Sequence, residues 1–136
     1  MGAINAHREA GAKLRAAFAP EIAKVKQAYH TKDNSIDIRR LLTDGFDRHA
    51  IAIETYRFFV EPKDQLAYDK AWREYCEEGG SVNFNKYAIR DLDQVDHRFE
   101  TFEQNIEAIL RFTEVKFFAA IRAAFLGPLK FSSTQH

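Results

Sequence analysis

The sequence predicts an all-α fold, a bundle of four main helices with a long last helix, and three observations carry that expectation. Apolar residues recur at steps of three and four along most of the chain, strand-like alternation is nearly absent, and the 136 residues include only three prolines and six glycines. Most of those prolines and glycines stand where helices should begin or end. With 46% hydrophobic and 29% charged residues the composition is that of a folded globular chain. The expectation is one helical domain over residues 1–136, with a short arm at 1–18 and a frayed tail at 129–136.

The elements follow in order. Leu14, Phe18, Ile22, Val25 and Tyr29 lie on one helical stripe. Pro20 interrupts it, because proline suits a first helical turn and disfavours helix in the residue before it. An irregular or separate arm up to Phe18 and a firmer helix from Pro20 to His30 are expected. Lys32-Asp33-Asn34-Ser35 is a turn cluster, with Ser35 placed to cap the next helix. Ile38, Leu42, Phe46, His49, Ile53, Tyr56 and Val60 then define one long helix running through Gly45, with a histidine on its buried stripe. Pro62 opens a third helix containing Leu66, Trp72 and Tyr75, closed by Glu77-Glu78-Gly79-Gly80. Residues 80–91 read as a packed loop. From Leu92 to Ala124 the cadence of threes and fours resumes up to Gly127-Pro128, over a length that suggests a break near Thr113 to Lys116.

Charge narrows the function classes. Twenty basic residues balance twenty acidic ones, but residues 1–40 carry eight Lys and Arg against four Asp and Glu, 41–114 nine against sixteen, and 115–136 three against none. An acidic centre repels a polyanion, which disfavours general nucleic-acid binding, whereas basic ends folding over an acidic middle is ordinary bundle packing. No apolar run approaches the roughly 18 residues that span a bilayer, and the first residues lack the blocks of a signal peptide. A single cysteine, Cys76, points to a reducing compartment. The expected location is cytoplasmic, or the cytoplasmic face of a membrane if a native N-terminal anchor is missing.

Few residue sets suggest chemistry, and no cofactor is expected. His49 and His97 stand on different helices with carboxylates nearby in sequence: Asp44 and Glu54 for the first, Asp93 and Glu100 for the second. Facing helices can gather such groups into a metal site, yet neither a Glu-x-x-His pair nor a His-x-x-x-His pair occurs, so the favoured reading is a hydrogen-bonded core histidine. Arg90 and His97 form an Arg-x6-His spacing that resembles the short motif of HEPN-type helical ribonucleases, which implies proton transfer by His97 and phosphate stabilisation by Arg90. Asp91, Asp93, Asp96 and Glu100 crowd that pair with negative charge, and helix capping accounts for them more simply. No serine is convincingly placed as a nucleophile. Cys76 lies at the wrong end of a helix and beside Glu77 and Glu78, which opposes thiolate formation. Phosphate-cradling glycine motifs are missing.

The stretch from Glu114 to Leu126 joins an apolar face to basic residues, a composition suited to a partner groove or, through peripheral contact, an anionic membrane. Core or dimer-interface packing of Phe117, Phe118, Ile121 and Phe125 is the favoured reading. Arg15 to Glu21, Arg48-His49 with Tyr56-Arg57-Phe58, Tyr68 to Tyr75 including Trp72, and Phe102-x3-Ile106-x2-Ile109-Leu110 together resemble a loose group of small bacterial proteins without an established activity. The resemblance implies an all-helical domain and transfers no catalytic role; some members of the group look membrane-anchored through an N-terminal segment that this chain lacks. Twelve phenylalanines and five tyrosines exceed what a small bundle readily buries. The expected function is therefore a non-enzymatic interaction or structural module, a homo-oligomer or a partner-binding protein, with Phe18, Phe117, Phe118, Ile121 and Phe125 at the interface. The alternative is a metal-binding bundle or a HEPN-like ribonuclease using His97.

Overall fold

In the computed structural model, residues 2–32, 35–88 and 95–125 are described, with side chains for 5–32, 35–88 and 98–113. The described residues form five α-helices: α1 (Gly2–Thr31), α2 (Ile38–Asp44), α3 (Phe46–Arg57), α4 (Gln65–Cys76) and α5 (Val95–Phe125). A 3-10 turn at Pro62–Asp64 leads into α4. Two short antiparallel strands, β1 (Glu77–Glu78) and β2 (Ser81–Val82), and a second 3-10 turn at Asn85–Tyr87 follow it.

The all-α expectation holds, and side-chain contacts give the order of the helices. Phe18 stacks on His49, Tyr56 meets Tyr68, Tyr75 meets Phe102, and Tyr29 stacks on Phe99. Together with His7 at Tyr56, Phe46 at Trp72, Tyr68 at Phe112 and Gly11 at Thr113, they make each neighbouring pair antiparallel. The result is an up-down-up-down bundle of α1, α3, α4 and α5, with α2 a short lead-in to α3. Its interior is aromatic: Phe18, Tyr56, Tyr68, Tyr75, Phe84 and Tyr87 are all fully buried. Tyr75 contacts six rings, those of Phe18, His49, Trp72, Phe84, Tyr87 and Phe102.

Five expectations change. No separate arm ends at Phe18, since α1 is one helix with Pro20 inside it and with Leu14 and Phe18 in the core. The single helix expected over 38–60 is two, because Gly45 ends α2 and begins α3. Asp37 rather than Ser35 caps α2, its Oδ1 accepting from the Arg40 N–H at 3.2 Å. Glu77 to Gly80 do not simply terminate α4. They form half of a hairpin whose Gly79 and Gly80 lie at φ of +65° and +84°, the two left-handed residues that a tight two-residue turn demands. The last helix, expected to break near Thr113, continues as α5 to Phe125.

Candidate functional site

The polar group most capable of chemistry lies inside the bundle, where α1 crosses α3 and α4. Its geometry begins with Pro20. Having no N–H, proline leaves the Ala16 carbonyl without its helical donor and crowds the preceding turn. In that turn the Ala17 carbonyl accepts from Arg48 Nη1 at 3.1 Å. The same guanidinium grips the Glu21 carboxylate through both terminal nitrogens, at 3.1 and 2.5 Å. Glu21 Oε1, which accepts from Arg48 Nη1, also meets His49 Nε2 at 2.9 Å, and His49 Nδ1 lies 3.5 Å from the Tyr75 hydroxyl.

These partners fix the roles. A carboxylate only accepts, so Nε2–H donates to Glu21, and Nδ1 is left to accept from the Tyr75 O–H. Burial lowers the His49 pKa from the ordinary 6.5; the Glu21 contact opposes that shift and the nearby Arg48 charge adds to it. The imidazole is therefore neutral near pH 7. Burial also pushes the Tyr75 hydroxyl far up, so it stays protonated. The set is a relay of Tyr75, His49 and Glu21 closed by Arg48, with Phe18 stacked 4.2 Å from the imidazole.

Gly45 makes room for it. A Cβ there would stand 2.7 Å from Glu21 Oε2 and 3.2 Å from Arg48 Nη2. The glycine is needed for space, since its φ of −89° suits any residue. The Glu21–His49 step is short, but the Tyr75 step is stretched to 3.5 Å, and the members are shut away from solvent. His49 and Tyr75 are 0% exposed, Glu21 is 5% exposed, and only Arg48 reaches water. The larger cavities lie elsewhere. A groove of about 630 Å³ between α4 and α5 has Ala67, Ala71, Ala108 and Phe112 on its floor, and one of about 600 Å³ lies beside Arg39 and Asn85. Neither is lined by a relay member.

The structure thus brings together some expected residues and separates others. His49 is the buried histidine that its stripe predicts, but its carboxylate is Glu21 of α1; Asp44 and Glu54 are exposed. Phe18, expected at an interface, is instead enclosed within its own chain. Glu100 is exposed on α5. Arg90 and Asp93 lie outside the described residues, as do the side chains of His97, Phe117, Phe118, Ile121 and Phe125. Among the described residues no three His, Cys, Asp or Glu side chains converge as a metal would require. Cys76 is buried, and burial pushes its thiol up to about 11. Sequence reasoning missed Glu21 because nothing local marks it. Gly45 inside an otherwise helical stripe was the available sign of a close approach.

No family model, curated protein or solved structure matches this chain. Among the described residues no helix is long and apolar enough to cross a membrane.

Proposed function

We propose that this chain is a non-enzymatic helical interaction module that works by self-association. One observation carries the reading: large apolar side chains stand in solvent while the polar relay is sealed inside. Phe58 is 89% exposed, Leu66 82% and Ile51 67%. Large apolar side chains held out in solvent and gathered on one face mark interaction sites in soluble proteins.

The end of α5 adds support. Tyr68 against Phe112 sets the register of α4 on α5, which places Gln65, the first residue of α4, level with roughly Val115. The α5 backbone continues to Phe125 beyond that level. In sequence, Phe117, Ile121 and Phe125 recur there at steps of four; α1, whose Gly11 meets Thr113, flanks the segment to about residue 122, and on the side that α4 leaves a second copy would supply the neighbour. Sedimentation of the full chain at about 100 µM tests the reading, a concentration that detects even weak pairs. A dimer or larger assembly is expected, and a clean monomer overturns it.

A further inference from the structure

We propose that the outer face of α3 and α4 is where a second copy of this chain docks, about a two-fold axis running between the two helices and parallel to them. The inference rests on the self-association reading and adds where the copies meet.

The face is built by the α3–α4 register. Tyr56 against Tyr68 and His49 against Tyr75 make the helices antiparallel and set Phe58 level with Leu66. Two of the most exposed large apolar side chains thus share one end of the face, with Ile51 two turns away along α3. Across the middle runs a row of four charges. Arg57 donates to both Asp69 oxygens at 2.8 Å, Glu54 acts electrostatically on Arg57, and Arg73 acts on Asp69. Read from α3 to α4 the row is Glu54, Arg57, Asp69, Arg73, alternating minus, plus, minus, plus.

A row of even length that alternates in sign is complementary to its own reverse. The proposed axis lays α3 of one copy on the partner's α4 with the level along the helices kept. Phe58 then rests level on the partner's Leu66, while Arg57 lies about 3 Å along the helix from the level of the partner's Asp69 and Glu54 about 4.5 Å from that of the partner's Arg73, offsets that these long side chains span. Every contact is made twice, as a closed two-fold interface requires. With two charges of each sign the row gives an anionic lipid surface no net attraction, and an unrelated apolar partner would leave this charge order unmatched. In such an interface the apolar residues supply affinity while the charges set register and select the partner.

Sedimentation equilibrium of the full chain and its variants tests the proposal, with thermal melts as a folding control. Phe58→Glu and Leu66→Glu, both at exposed positions, are each expected to raise the dimer Kd by about tenfold or more, as truncated interface anchors do. Glu54→Arg should weaken the dimer, and Glu54→Arg with Arg73→Glu should restore it. Within one chain the double exchange puts like charges beside Arg57 and Asp69. Its melt should therefore be no better than that of the single variants while the dimer recovers, a split that a purely structural role does not produce. If these variants leave the dimer unchanged while Ile121→Glu dissolves it, the docking face is wrong and self-association stands. A monomeric unsubstituted chain overturns both.

Discussion

Arg48 shows how one side chain can answer two needs created elsewhere. Its guanidinium caps the Ala17 carbonyl in the turn that Pro20 disturbs, and it neutralises Glu21, whose side chain is 7% exposed. Removing a hydrogen-bonded partner from a buried carboxylate typically costs about 2–4 kcal/mol. Arg48→Met should lower unfolding free energy in urea by that amount, far beyond the few tenths of a surface change. Gly45→Ala should cost about 1–3 kcal/mol, because its methyl group meets Glu21 and Arg48 rather than open space. His49 predicts a pH effect with a definite sign. Its folded pKa lies below 6.5, so the unfolded chain takes up the proton more readily. The stability due to the neutral imidazole is complete above pH 6.5 and declines as pH falls toward the folded pKa, by at most about 1.4 kcal/mol per pH unit. Urea titrations at pH 7.5 and 5.5 should therefore show a smaller difference for His49→Gln than for the unsubstituted chain; an equal difference would contradict this account.

Among the elements, α1 keeps its course through Pro20 because tertiary contacts outweigh the local break. Leu14, Phe18 and Val25 bury one face on both sides of the proline, and Arg48 supplies a donor to the disturbed turn. Local propensity favoured a break, and the packing partners that override it come from α3 and α5, which no sequence window around Pro20 contains. Coupling between Pro20 and Arg48 follows. In Pro20→Ala a regular turn engages the carbonyls, so Arg48→Ala should cost roughly 1 kcal/mol less there than in the unsubstituted chain, measured as a double-mutant cycle. The stripe from Ile38 to Val60 was legible as helix and correctly put His49 inside. The division at Gly45 was less legible, because a periodic pattern crosses a one-residue joint without losing phase. Gly79-Gly80 did carry a hairpin signal, which the neighbouring α4 ending masked. Gly80→Ala, at a φ of +84°, should cost about 1 kcal/mol by thermal melt without changing the helical signal.

At the level of the whole molecule, the helical class and most of the core could be read from apolar spacing alone. Leu14, Phe18, Val25, Leu42, Ile53, Tyr56, Tyr75, Phe102 and Ile106 all lie on predicted stripes and are all buried. Leu66 is the instructive exception. It belongs to the apolar set expected of the third helix but stands at the surface, because α4 turns Tyr68, Ala71 and Tyr75 inward and leaves Leu66 on the other side. Periodicity tells which residues share a face and cannot tell which of two apolar faces wins the interior. The relay was illegible for a related reason: Glu21, Arg48, His49 and Tyr75 come from three helices, and only their order in the bundle makes them neighbours.

The chain holds one tryptophan, Trp72, half-buried on α4, with its indole stacked on Phe46 at 5.6 Å and tilted against Tyr75 at 5.7 Å. A built-in fluorophore therefore sits at the junction of α3 and α4, one ring removed from the buried histidine. Its emission reports on that seam without any added dye, and separation of the two helices should shift the spectrum to longer wavelength as water reaches the indole.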